Sequence, residues 1–400
     1  NRHMTTEEFI IQHRCDAVAD LALHASRWPG VDMPFALEQI DGWQRACRKL
    51  PTWAATEGIV YPPHLAMEQC SSEQTARYKA KVISRLLPVG GSYVDLTGGL
   101  GVDFSFVAQL PTQASFVYVE RQKRLCEVAA HNFALLGLRD VEVDCADGVD
   151  YLYSMPCASV VFLDPARRDA HGGKTVAMAD CQPDVLQLRE ELLKKADFVV
   201  LKLSPMLDWH QALLELGRDV VREIHIVSVA NECKELLFVL SRQGGGETSA
   251  QPRILCVDGD EVFDTTVDAP QRIFSGSSLP AYLYEPNASI MKAGRFGALC
   301  ASMPVDALAP NSHLFVSDSW LPHFPGRRFH VNAECGFGKH ELGALSALQR
   351  ANITVRNFPM SVADLRKRLR LKEGGSDSLF ATTLADGKRV VISCGLGNGK

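Results

Sequence analysis

Val94-Asp95-Leu96-Thr97-Gly98-Gly99-Leu100-Gly101-Val102-Asp103-Phe104 is the stretch on which the fold turns. An apolar run from Tyr93 to Leu96 leads into it, and Ser105, Phe106 and Val107 continue it at helical spacing. It therefore reads as a strand, a tight glycine turn and the start of a helix. Glycines let a strand reverse sharply and let backbone N–H groups approach a ligand at a helix N-terminus. Dinucleotide enzymes place G-x-G-x-x-G in the same position, so the glycines alone select no ligand. Two details separate the readings. Gly99-x-Gly101 puts Phe104 where a dinucleotide fingerprint needs its third small residue. Asp95 closes the strand, where a carboxylate would crowd a pyrophosphate but could receive an ammonium group.

Working outward, Phe116–Glu120, Val141–Val143, Val160–Leu163 and Phe198–Leu201 are further short β-branched or aromatic runs. Helical-period stretches such as Gln122–Leu136 and Pro183–Lys195 lie between most of them. Strands alternating with helices predict an α/β fold with a parallel sheet covered on both faces. Ile224–Val229, Leu236–Leu240 and Arg253–Val257 follow with little room for crossover helices, and with a Gly244-Gly245-Gly246 loop among them. They predict an antiparallel finish at the sheet edge. Ahead of the sheet, residues 4–87 read as a helical cap. Its first stripe runs through Phe9, Ile10, Cys15, Val18, Ala19 and Leu23, and its last helix is capped by Ser71-Ser72-Glu73-Gln74. The sheet domain is expected over 88–269, with two small α+β domains over 270–325 and 326–400.

Composition agrees with a folded, multi-domain chain: 400 residues, 46% hydrophobic and 22% charged. The net charge of −5 conceals an asymmetry. Residues 326–400 hold 13 Lys/Arg and 6 Asp/Glu, a surplus of 7 positive charges, which leaves −12 on the rest. A basic end on an acidic body suggests a polyanion contact made by the tail. The twelve cysteines, Cys126, Cys256 and Cys394 among them, form no C-x-x-C pair. No signal-peptide pattern opens the chain, so they read as buried thiols in a reducing cytoplasm. Zinc-ligand spacing is missing, so no metal is expected, and no apolar run approaches membrane-span length.

The strand ends carry a more specific pattern. Asp95-Leu96-x-x-Gly99-x-Gly101 resembles the first motif of class I S-adenosylmethionine-dependent methyltransferases. Glu120, closing the next strand, matches the acidic residue those enzymes place on the ribose hydroxyls. Asp147, in Cys145-Ala146-Asp147-Gly148, matches the residue beside the adenine amino group. Asp164-Pro165 resembles the fourth motif, where the acceptor meets the methyl donor. Singly, each would be a loop carboxylate or a turn. Four in order at successive strand ends obey the rule that ligands bind outside the carboxyl ends of an open α/β sheet. The resemblance implies a Rossmann-like methyltransferase sheet, parallel with an antiparallel edge. It also implies a donor site of Asp95, Thr97, Gly98, Gly99, Gly101, Asp103, Glu120, Asp147, Gly148 and Asp164. The cofactor would be S-adenosylmethionine, leaving S-adenosylhomocysteine, and the transfer needs no metal.

On the acceptor side, amino-methylating relatives carry Asn/Asp-Pro-Pro and an aromatic residue, whereas this sequence reads Asp164-Pro165-Ala166-Arg167-Arg168. Asp164 could orient an exocyclic amine. Arg167 could stack on a base or hold a phosphate, or Arg167 and Arg168 could simply pair with nearby acids. Lys202, in Leu201-Lys202-Leu203-Ser204-Pro205, ends the fifth strand and would face the same cleft. Catalytic roles are therefore expected of Asp164, Pro165, Arg167 and Lys202.

Glu73–Ala80, Asp164–Arg168, Leu201–Pro205, Tyr284–Ile290 and Asn357–Lys372 together resemble a bacterial subgroup of these methyltransferases with a ferredoxin-like and a THUMP-like C-terminal domain. Arg366, Lys367, Arg368, Arg370 and Lys372 cluster around one helix in that tail, suited to phosphate contacts or to a merely solvated face. The combined expectation is a cytoplasmic methyltransferase acting on RNA, at a base amino group of tRNA or rRNA, with no membrane contact and no obligate protein partner inferable. The alternatives are a protein or small-molecule acceptor, or an RNA-binding module whose donor pocket is structural.

Overall fold

The computed structural model describes residues 4–167, 177–243 and 251–397. They form two compact units, one of Asn1–Arg222 with Leu236–Ala250, the other of Glu223–Glu235 with Gln251–Lys400. In the first unit, α1 (Thr6–His13), α2 (Val18–Leu23), α3 (Met33–Lys49), α4 (Pro51–Ala54), α5 (His64–Gln69) and α6 (Glu73–Leu86) precede the first strand. Thr5 closes a capping box on α1, and Ser72 accepts from the Thr75 amide at the start of α6. The expected stripe through Leu23 is corrected. The chain leaves helix between α1 and α2, which shifts the buried face to Phe9 and Leu21 and leaves Leu23 80% exposed.

The sheet is built from β1 (Ser92–Asp95), β2 (Ser115–Glu120), β3 (Val141–Cys145), β4 (Ala158–Leu163) and later β7 (Ala196–Leu203). The linking helices are α7 (Val102–Val107), α8 (Lys123–Leu135), α9 (Gly148–Ser154) and α10 (Val185–Lys195), while α11 (Trp209–Leu216) follows β7. The strand order β3-β2-β1-β4-β7 is parallel throughout. Past β8 (Val221–Val229), β9 (Glu232–Leu240) returns antiparallel to β7 through Leu236–Leu240. Between β4 and β7 lies a short ladder of β5 (Ala166–Arg167) and β6 (Cys181–Gln182). Strand order reverses at β1, which opens a crevice at the carboxyl ends of β1 and β4.

The N-terminal helices share the sheet's core. Trp53, Ala76 and Ile83 pack in one cluster with Tyr93, Phe104 and Tyr118. Phe104, out of place for a dinucleotide loop, is the floor beneath the glycine turn. Its ring lies 5.6 Å from Tyr118 and 5.1 Å from Phe133.

In the second unit, β10 (Arg253–Asp258) runs parallel to β8 and antiparallel to β11 (Glu261–Asp264). The expected antiparallel finish is thus only partial. β9 carries the chain back to the start of β8, so the next strand can lie beside β8 in the same direction. β10 and β11 continue the nine-stranded sheet to Asp264.

A second sheet contains β12 (Tyr282–Pro286), β13 (Asp306–Ala307), β14 (Phe315–Ser317), β15 (Gly326–Gly336), β16 (Asn352–Arg356), β17 (Asp377–Thr383) and β18 (Arg389–Leu396). Its order is β13-β14-β12-β15-β18-β17-β16, so one sheet runs through both small segments expected from the sequence. α12 (Ala288–Ala293), α13 (Gly297–Ser302) and α14 (Val362–Leu369) accompany it. All twelve cysteines are free thiols. Cys15, Cys47, Cys145 and Cys157 are exposed, which corrects the expectation of uniformly buried thiols.

Gly101 has φ +77, and a Cβ there would stand 2.6 Å from the Phe133 ring. Gly101→Ala is expected to lower the unfolding free energy in urea by about 1–3 kcal/mol, from backbone strain plus overpacking. Gly137, at φ +81 with open space around it, isolates the backbone part; Gly137→Ala should lose only about 1 kcal/mol.

Candidate functional site

The crevice holds a cavity of about 420 Å³ lined by Asp95, Thr97, Gly98, Gly99, Gly101, Asp103, Asp164 and Lys202, among others. The turn after β1 is kept glycine-rich by its neighbours. A Cβ on Gly98 would enter the Tyr118 ring, whose hydroxyl donates to the Gly99 carbonyl. Gly99 has φ +55, and its Cβ position is open apart from the Thr97 carbonyl oxygen at 3.7 Å. The turn thus presents bare backbone to the cavity.

Asp95 is buried at the tip of β1. Its Oδ1 accepts from the Thr97 amide at 2.9 Å and from the Thr97 hydroxyl at 3.3 Å. Burial pushes its carboxyl up to about 8, against those two bonds, with Asp103 and Asp164 adding repulsion. A cation placed beside it, such as a ligand ammonium, would favour its ionised form. Thr97 also reaches the acceptor side, since its Oγ1 accepts from the Asp164 amide at 2.7 Å. The Asp164 carboxylate is half-buried, with Oδ2 2.9 Å from Lys202 Nζ. Two carboxyl groups and one ammonium, placed by three adjacent strands, make a pocket suited to a ligand that is itself cationic at one end.

Asp103 lines the cavity, but its carboxylate is engaged from behind. It accepts from the Ser71 hydroxyl at 3.0 Å and lies 3.2 Å from the fully buried Lys79 ammonium. That pairing ties α6 to the first turn of α7. Glu120 stands outside the cavity lining and braces the turn from below, accepting from the Gly99 and Gln122 amides, each at 2.9 Å. Both of its oxygens keep a further lone pair. Asp147 also lies outside the lining and caps α9 through the Val149 and Asp150 amides. Gly148 is there for close packing, because a Cβ would collide with the Leu96 carbonyl. Pro165 follows Asp164 outside the lining. Arg167 sits in β5, and its side chain, like the whole of Arg168, lies outside the described residues.

Sequence reasoning missed a further part of the lining: Pro62, Pro63, Gln69, Cys70 and Ser71, from the segment around α5. The Pro62-Pro63 pair is its only local signal. In the second unit, the basic run is not uniformly available. Arg366 donates to the Ala351 carbonyl at 3.1 Å, Arg368 lies 4.2 Å over the Phe337 ring, and Arg370 ends α14 with φ +56. Lys367 and Lys372 are exposed.

Over nearly its whole length the chain is similar to a putative methyltransferase from Porphyromonas gingivalis W83 of known crystal structure. The two are 31% identical, 98% of each is covered, and the TM-score is 0.82. A family model described as a ferredoxin-like domain matches residues 282–325, and one described as THUMP domain-like matches 326–395. Distant likenesses include a methyltransferase dependent on S-adenosylmethionine from Aquifex aeolicus, 15% identical over 45% of this chain and 99% of its own, with TM-score 0.33. Another, from Agrobacterium tumefaciens, is 18% identical over 43% and 62%, with TM-score 0.31. No curated protein matches the chain in sequence.

The Asp95 environment fixes a pH dependence. An unfolded chain ionises this carboxyl near 3.8 and the folded chain near 8, so ionisation disfavours the fold increasingly across that interval and no further above it. Asp95→Asn removes this penalty while keeping an acceptor for Thr97. It should melt higher than the wild type at pH 8 and alike near pH 4; thermal melts across pH that show the reverse order would refute the assignment.

Proposed function

The chain belongs to one family with the Porphyromonas gingivalis protein, and on that premise we propose that it is a methyltransferase using S-adenosylmethionine and acting on RNA. The observation that carries this reading is the cavity itself, where the buried Asp95 carboxyl, an open glycine backbone and the Asp164–Lys202 pair meet. When bound, S-adenosylmethionine supplies a methyl group on a sulfonium, already activated toward nucleophiles. In this reading Asp95 receives the amino-acid ammonium, and the Gly98, Gly99 and Gly101 backbone lies against the ligand. Glu120 and Asp147 take the ribose hydroxyls and the adenine amine with the lone pairs their backbone bonds leave over. Thr97 and Asp103 shape the turn, one through Asp95 and Asp164, the other through Lys79.

The acceptor stands beside Asp164, Pro165, Arg167 and Lys202. The chain's own work there is alignment and exclusion of water, and removal of one proton to Asp164 Oδ1. RNA as acceptor is supported by the THUMP-like match and by the surplus of 7 positive charges over residues 326–400, with Lys367 and Lys372 among its exposed members. A cytoplasmic place of action follows from that substrate. The first reading of the acceptor atom is a base amino group of tRNA or rRNA, oriented by Asp164. Lys202 favours a second reading, a ribose hydroxyl, because an attacking amine gains positive charge beside an ammonium whereas an oxygen nucleophile is stabilised by it.

Isothermal titration with S-adenosylhomocysteine should give a well-defined affinity for the wild type that Asp95→Ala lowers at least about tenfold, together with net proton release at pH 7. Equal affinities would remove Asp95 from the donor site. Labelled methyl groups should enter RNA from cells lacking the gene, and Asp164→Ala should slow that transfer at least about 100-fold. Mass spectrometry of the digested nucleosides, with label on the base or on the ribose, decides the acceptor atom.

A further inference from the structure

The second sheet carries a feature that methyl transfer does not use. Strand alternation sends Leu283 and Phe329 into the core and turns their neighbours, Tyr282 on β12 and His330 on β15, to the opposite face. These two are cross-strand partners with ring centroids 5.0 Å apart. Trp320, from the loop after β14, lies parallel to the His330 ring within 6°, at 5.3 Å between centroids. It is also 5.3 Å from Tyr282.

On the next strand the partner of His330 is Gly395, and beyond it stands Asp377. The row Tyr282–His330–Gly395–Asp377 therefore offers two rings, a strip of bare backbone and a carboxylate on one face. A Cβ on Gly395 would meet only the Asn332 side-chain amide, at 3.4 and 3.9 Å. His330 is exposed, and Tyr282 and Trp320 are half-buried. Arg328 precedes His330 by two residues on the same strand, which places it on the same face.

We propose that this row is a stacking site for one unpaired nucleobase of single-stranded RNA. A planar heterocycle can lie beside His330 over Gly395, which adds no side chain of its own there and has the Asn332 amide as its neighbour. Asp377 can accept from an exocyclic amine, and Arg328 can pair with the adjoining phosphate. Duplex RNA does not qualify, because its bases are already stacked and paired. The inference rests on the RNA reading above and adds to it a second contact, distinct in chemistry from the charges on α14.

Fluorescence anisotropy of an end-labelled single-stranded RNA of mixed sequence, titrated with the full chain, tests it. His330→Ala removes the exposed ring without touching the core, and Tyr282→Leu keeps an apolar side chain on the strand. Each should weaken binding at least about fivefold. The salt dependence should stay unchanged, because stacking displaces no counterions. A double variant, Lys367→Gln with Lys372→Gln, should instead flatten the salt dependence. Melting temperatures within about 3 °C of the wild type certify the fold of each variant. Wild-type affinity in both ring variants overturns the stacking site and leaves the RNA reading standing. Failure of the wild type to bind RNA at all removes both.

Discussion

A carboxylate shut away from water at the tip of the central strand sets the terms for everything around it. Asp95 can be buried there only because Thr97 turns back to give it an amide and a hydroxyl, and only because the following glycines let the chain do so. The turn needs Phe104, Tyr118 and Phe133 packed beneath it, and that aromatic floor needs the N-terminal helices as its outer wall. The helical region is thus more than a lid. It supplies core residues to the sheet and one wall of the cavity. Because burial pushes the Asp95 carboxyl up to about 8, ionising it costs the fold stability, and groups perturbed in this way cluster at functional sites.

Much of this was legible in the sequence because it is local. Strands β1 to β4 and β7 are short apolar runs, and their helices repeat at their own period. The carboxylates that close the strands announce themselves by position. Phe104 in the third glycine position has its physical reason in the aromatic floor, where it packs on Tyr118 and Phe133. What could not be read is what depends on distant segments meeting. Asp103 is drawn into an ion pair with Lys79 and a bond with Ser71, some thirty residues upstream. Pro62 and Gln69 reach the cavity through a tertiary contact that leaves no periodic trace. The even basic run on α14 likewise hides three arginines with packing or capping duties.

The second unit shows the limit from the other side. Family matches divide residues 282–325 from 326–395, yet β12 and β14 join β15, β18, β17 and β16 in one hydrogen-bonded sheet. Sequence punctuation at Gly326 marks the start of β15, where φ is +157 and a Cβ would collide with the Glu285 carbonyl, so the border between the two matches falls at a strand start. Two family labels can thus divide a single hydrogen-bonded sheet when the strands at their border pair across it.

The Thr97 hydroxyl gives to Asp95 and takes from the Asp164 amide in the same breath. One oxygen atom thereby gauges the gap between the two halves of the pocket, whatever occupies them. On the methyltransferase reading proposed above, retuning to a different recipient would leave that spacer untouched and act on the side chains that flank it, so the Asp95 half and the Asp164 half can diverge at different speeds.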